Sequence, residues 1–138
     1  MSKPYILAAE DDEEDREIMG EVFKSVPCPA KIEFVEDGEE LLQFLAGHPN
    51  DFPVLILTDL NMPRMNGTQL LATLKQDIRY KHIPVVVMST SAWQEDVRLS
   101  YKAGANSFIP KPNDIKTWSH MLTTVCAYWF ATALLPSS

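Results

Sequence analysis

Tyr5-Ile6-Leu7-Ala8-Ala9-Glu10-Asp11-Asp12 is the stretch from which the rest of the chain can be read. Five apolar residues in a row, without alternation, suit a strand covered on both faces, as in a parallel sheet. The run stops abruptly on three acids. Beyond them Ile18, Met19, Val22, Phe23 and Val26 recur at three- and four-residue spacing, which predicts a helix over 13–26. Asp12 is placed to cap it, and an acidic first turn suits the positive end of a helix dipole. Pro27 and Pro29 end it.

The same unit recurs along the chain. Residues 31–35 alternate, as a half-covered or edge strand would; Asp37-Gly38 is a turn, and Leu41, Leu42, Phe44 and Leu45 mark a short helix closed by Gly47 and Pro49. Val54-Leu55-Ile56-Leu57 repeats the opening pattern and ends on Asp59; a loop with Pro63 and Gly67 follows, then a helix opened by Thr68 and carrying Leu70, Leu71 and Leu74. Residues 84–88 form a third buried run ending on Ser89-Thr90-Ser91. Ser91 is placed to cap a helix over about 92–103 that stops at Gly104. Ser107-Phe108-Ile109-Pro110 is a short fifth strand ending at Lys111-Pro112. Asn113 or Asp114 then caps a final helix with a core stripe of Ile115, Trp118, Leu122, Val125 and Trp129. Five strands alternating with five helices imply parallel strands joined by right-handed crossovers. The predicted fold is a three-layer, doubly wound α/β sandwich with a five-stranded parallel sheet, of flavodoxin-like type; the alternation leaves the strand order open.

Composition narrows the function. At 138 residues the chain reads as a single domain over 1–138, since domains usually run to about 100–200 residues. Nineteen Asp and Glu against twelve Lys and Arg give a net charge of −7, which argues against a nucleic-acid surface. No apolar stretch approaches the roughly 18–20 residues that cross a bilayer, so no membrane span is expected. Cys28 and Cys126, without a secretory leader, read as reduced, packed thiols of a cytoplasmic protein. His48, His82 and His120 lack ligand-like spacing. Thirteen of the nineteen carboxylates lie between Glu10 and Glu40, and most of them, Glu13, Glu14, Glu17, Glu21, Glu36, Glu39 and Glu40 included, read as solvated helix faces and their approaches.

Three acids differ because of where they stand. In an open parallel sheet, ligands bind outside the carboxyl ends of the strands, near the switch in strand order. The residues closing the strands are Glu10 and Asp11, then Asp59, then Ser89, then Lys111. Crowded carboxylates are unfavourable unless a cation joins them, and an all-oxygen set with room for water suits Mg²⁺. A lone ammonium opposite the acids would neutralise an anion added between them, and a phosphoryl group is the natural candidate. Ser89 would donate to a phosphoryl oxygen, and a strand-end Asp facing the metal has the chemistry to form an acyl phosphate itself.

Taken together, Glu10-Asp11-Asp12, Thr58-Asp59-Leu60-Asn61-Met62-Pro63 with Gly67, Ser89, and Phe108-Ile109-Pro110-Lys111-Pro112 resemble the receiver domain of two-component response regulators over residues 4–131. The resemblance implies roles. Asp59 would be the phosphoacceptor; Asp11 would bind Mg²⁺ directly, Glu10 mainly through water, and the Asn61 main-chain carbonyl would complete the protein ligands. Lys111 would pair with the phosphoryl group, Ser89 would move toward it, and Phe108 would be the switch residue that reads out the movement. The Lys111–Pro112 bond would be cis, and Asn61 and Ser91 would tune the phosphoryl lifetime. Glu10, Ser89 and Phe108 stand where Asp, Thr and Tyr are common, mild departures. Ser89-Thr90-Ser91, Glu95-Asp96, Ser100-Tyr101 and residues 104–109, with an aromatic-rich last helix, are also similar to small stand-alone receivers paired with bacterial phytochrome kinases.

The implied function is a stand-alone, non-enzymatic response regulator with no output domain. It would be phosphorylated on Asp59 by a histidine kinase in a Mg²⁺-dependent, self-catalysed reaction and would signal through a conformational switch. Met121, Tyr128, Phe130 and Leu134 add a second apolar surface on the last helix, read as a face for a partner protein or a second copy. Two rival readings stand beside this one. A Mg²⁺-dependent phosphatase with an aspartyl phosphate would want an acid two residues after the nucleophile, where Asn61 stands. A docking module indifferent to phosphorylation would not need the acids, hydroxyl and lysine together.

Overall fold

A computed structural model describes residues 3–91 and 93–135. Five strands, β1 (Tyr5–Ala9), β2 (Lys31–Val35), β3 (Leu55–Asp59), β4 (Val85–Ser89) and β5 (Ser107–Pro110), form one parallel sheet in the order β2-β1-β3-β4-β5. Five helices connect and follow them: α1 (Glu13–Phe23), α2 (Gly38–Gly47), α3 (Gly67–Gln76), α4 (Gln94–Lys102) and α5 (Ile115–Ala127). A turn of π-helix over Tyr128–Thr132 continues α5.

The three unbroken apolar runs are the strands buried at every position, β1, β3 and β4. Alternate residues of each feed two separate cores. Leu7, Ile56 and Val87 pack with Leu41, Leu45, Leu70 and Leu74 from α2 and α3. Ile6, Leu57 and Val86 pack with Met19 and Val22 of α1 and Trp118 and Leu122 of α5. The order reverses between β1 and β3, so their carboxyl ends open onto the crevice where such sheets bind ligands.

Several local expectations are corrected. α1 ends at Phe23, not Val26, because a residue before proline is pushed out of the helical region and Pro27 follows. α4 starts at Gln94; Ala92 lies outside the described residues, and Ser91 does not cap the helix, whose N-cap is Trp93 without a side-chain bond. The Ser91 hydroxyl donates to Asp96 instead, at 3.1 Å. Asp114, of the two candidates, caps α5, its carboxylate accepting from the Thr117 N–H at 2.7 Å. Ile115 is not core: it is 66% exposed, since first-turn side chains lean back toward the helix start and beyond the sheet. Met121 takes its place in the buried stripe with Trp118, Leu122, Val125 and Cys126, and so leaves the second apolar surface. Tyr128 and Leu134 remain exposed, while Phe130 is half-buried against the core. Both cysteines are free thiols. No helix among the described residues is long and apolar enough to cross a membrane.

Candidate functional site

Each strand delivers its last residue to the same end of the sheet. Glu10 follows β1 and is held by main-chain bonds, its N–H donating to Val35 and its C=O accepting from Arg16 at 2.7 Å. Asp59 closes β3, Ser89 closes β4, and Lys111 follows β5 with its N–H donating to the Ser89 C=O at 2.7 Å. One carboxylate oxygen each from Glu10, Asp11 and Asp59 lies within 4.8 Å of the others. Glu10 and Asp59 are buried and Asp11 is exposed, so the cluster is closed below and open above.

Lys111 binds this cluster from the side. Its Nζ lies 2.7 Å from Glu10, 2.8 Å from Asp15 and 3.0 Å from Asp59, and its side chain is only 5% exposed. Burial pulls the ammonium down, but hydrogen bonds to Asp15, Glu10 and Asp59 outweigh it and hold its pKa above the ordinary lysine value. Burial, reinforced by the Asp59 charge, pushes the Glu10 carboxyl up to about 7 against the pull of Lys111. Asp11 is raised for the same two reasons. Four carboxylates against one ammonium leave negative charge in excess.

That excess has an address. Glu10 Oε2 accepts from the Asp12 N–H at 3.1 Å. Glu10 Oε1 is buried and has only the Lys111 ammonium, at 2.7 Å, to meet its charge, and that ammonium is shared with Asp15 and Asp59. Three carboxylates around one point, sharing a single ammonium and open to solvent at Asp11, fit a divalent cation, which takes oxygen ligands and keeps waters on its open side.

Among the expected site residues, Glu10, Asp11, Asp59 and Lys111 converge on this point. Asn61 is exposed on the loop leaving β3. Ser89 is fully buried, its hydroxyl accepting from the Ser91 N–H at 3.0 Å. Phe108 is half-buried in β5, and its N–H donates to the Tyr101 hydroxyl of α4 at 3.1 Å. The Lys111–Pro112 bond is trans, contrary to expectation, as is every peptide bond among the described residues. Trans is the lower-energy form even before proline, and Lys111 reaches all three acids from it. Asp15 was missed as a partner of Lys111; it stands four residues, about one helical turn, after Asp11.

The sequence pattern of the response regulator receiver domain matches residues 6–123. The chain belongs to this family. Response regulator Rcp1 of Synechocystis sp. is 33% identical over 137 residues, spanning 96% of this chain and 93% of that protein. Among solved structures, the Mn²⁺-bound form of Rcp1 superposes with a TM-score of 0.85 at 34% identity, covering 99% of this receiver and all of the other chain. The phosphorylated cyanobacterial phytochrome response regulator RcpA gives 0.89 at 32% identity, with 99% and 100% covered. A response regulator in red light signaling of R. palustris also gives 0.89 at 32%, with 98% and 99% covered. The receiver is therefore a two-component response regulator homologous to the phytochrome-associated ones. Its acid cluster is compatible with divalent-metal binding and phosphorylation.

Proposed function

We propose that this receiver stands alone and takes its phosphoryl group on Asp59 from a phytochrome-type histidine kinase, in a Mg²⁺-dependent reaction that it catalyses itself. The observation that carries this reading is the ring of Glu10, Asp11 and Asp59 around one point, with Lys111 on Asp59. Asp59 attacks phosphorus in line, the phosphorus–nitrogen bond to the donor imidazole breaks, and an acyl phosphate forms on the carboxylate. Glu10, Asp11, Asp59 and the Asn61 carbonyl would hold Mg²⁺, which supplies charge neutralisation for the transferring group. Lys111 sits where it would trade its Asp59 contact for a phosphoryl oxygen. Ser89 would swing its hydroxyl from the Ser91 N–H toward the same group, and Phe108 would follow, biasing the two arrangements of α4 and β5. Asn61 and Ser91 flank the site and would tune how long the phosphoryl group survives.

Neither rival is favoured. Asn61 cannot serve as the acid a phosphatase would need, and a docking relic would not keep so complete a charge set. The kinase would meet the receiver in the cytoplasm, beside the groove between α1 and α5, where Ile115 lies exposed among Glu14, Arg16 and Glu17. Output would leave through a protein contact, or a second copy, at Tyr128 and Leu134 beyond α5. The test is labelling by acetyl phosphate and by a histidine kinase, with Mg²⁺ and with EDTA. We expect wild type to be labelled only with metal and Asp59→Asn not at all; undiminished labelling of that variant sinks the assignment.

A further inference from the structure

The loop from β3 to α3, residues 60–66, carries Asn61 past the charge cluster, and it is fastened at both ends. At its base the Gly67 N–H donates to the Leu60 C=O at 2.8 Å, and a Cβ on Gly67 would meet the Asp59 carbonyl oxygen at 2.5 Å. At its tip Arg64 has φ 61, the left-handed region that crowds any side chain. Its guanidinium pairs with Asp37, whose side chain is 1% exposed, and lies 3.4 Å from Glu39 and 3.6 Å from Glu40. Asp37 is also the N-cap of α2, its Oδ1 accepting from the Glu40 N–H at 3.0 Å while Oδ2 takes Arg64. Met65 packs into the space above Gly38, where a Cβ would come within 2.9 Å of its Cγ. The tip is thus stitched to the start of α2 by the apolar contact of Met65 and the ion pairs of Arg64 with Asp37, Glu39 and Glu40. A buried carboxylate is costly to leave without its cation, which keeps the tip from swinging away.

We propose that Arg64 is a positioning residue for the phosphoacceptor site: anchored on Asp37, it fixes where the Asn61 main-chain carbonyl is presented to a divalent cation beside Asp11 and Asp59. This rests on the metal-dependent phosphorylation of Asp59 set out above. A ligand on a loop is only as well aimed as the loop is held, and supports of this kind change metal affinity by about 10- to 100-fold when removed. The planar fork of arginine suits the task better than the single ammonium of lysine, since it reaches Asp37, Glu39 and Glu40 at once.

The test compares wild type with Arg64→Gly, Arg64→Lys, Asp37→Asn and the double variant Arg64→Gly/Asp37→Asn. Glycine accepts the left-handed backbone, so Arg64→Gly removes the anchor without adding strain, and asparagine still caps a helix, so Asp37→Asn removes only the charge. Mg²⁺ is titrated alone by calorimetry, and acetyl phosphate labelling is followed against Mg²⁺ concentration, with thermal melting in EDTA as the control for folding. We expect Arg64→Gly and Asp37→Asn each to raise half-saturating Mg²⁺ about 10-fold, the low end of that range. The double variant should be no worse than either single one, Arg64→Lys should recover part of the loss, and labelling at saturating Mg²⁺ should stay near wild type. Unchanged Mg²⁺ half-saturation in Arg64→Gly, or fully additive losses in the double variant, would overturn the proposal. If wild type takes no label on Asp59, the underlying reading fails, and the calorimetry still decides for or against Arg64.

Discussion

α3 and α4 sit on the same face of the sheet and are built to opposite standards. α3 starts with a reciprocal cap, Asn66 accepting from the Gln69 N–H and the Gln69 side chain from the Asn66 N–H, and it buries Gly67, Leu70, Leu71 and Leu74. α4 has Trp93 as its N-cap, 76% exposed and making no side-chain capping bond, and buries only Ser100. The half of the site that would hold metal and phosphoryl group therefore stands on well-fastened elements. The half that would report on it stands on an element that buries a single side chain. Elements that move are drawn from the low-stability end of a fold, and a receiver needs one such element next to a rigid site.

Breaking the rigid half should cost most. Gly67→Ala drives a methyl group against the Asp59 carbonyl oxygen and the Leu60 Cα, main-chain atoms that cannot turn aside. We expect a loss of about 1–3 kcal/mol in urea unfolding, together with weaker phosphorylation, because the strained peptide is Asp59's own. Wild-type stability and labelling in this variant would show that the loop is softer than its contacts indicate.

Acidity sharpens the comparison from the same side. The Glu10 carboxyl, raised from 4.5 to about 7, holds a proton in the folded chain that the unfolded chain has released. Metal-free stability should therefore fall as pH rises from about 4.5 to 7, by about 1–3 kcal/mol, and level off above. Asp11, also raised, acts in the same direction, while Lys111 keeps its charge throughout and Asp15 and Asp59 complete the set facing Glu10. Unfolding midpoints in EDTA across this window should slope downward and flatten with Mg²⁺ present. A midpoint that rises with pH would contradict the origin given for the shift.

The smallest expected effect is on the loose half. Trp93→Ser supplies the missing cap and should stabilise α4 by about 0.5–1 kcal/mol, read as slower amide exchange in α4 with little change in α3. Equal protection of both helices in wild type would erase the contrast.

Much of this was legible because the same physics writes both pattern and structure. Unbroken apolar runs became strands buried on both faces, and the polar residues that stopped them became the site. The strand order was not legible, since alternation allows several windings. Asp15 disappeared into a run of six acids, Glu10 to Asp15, in which nothing local says which one turns inward toward a lysine 96 residues away. Asp37 read as a turn residue because its partner, Arg64, lies 27 residues further on. Glu39 and Glu40 read as plain solvated surface for the same reason. Ile115 and Met121 exchanged roles because helical spacing identifies a stripe but not where the sheet beneath it ends.

The division of the interior by the sheet has a further consequence. Because Ile6 and Leu7 look into different compartments, a substitution under α1 and α5 meets no side chain under α2 and α3. The packing of the two outer faces can therefore drift independently. Only the strand ends, shared by both compartments, are obliged to stay as they are.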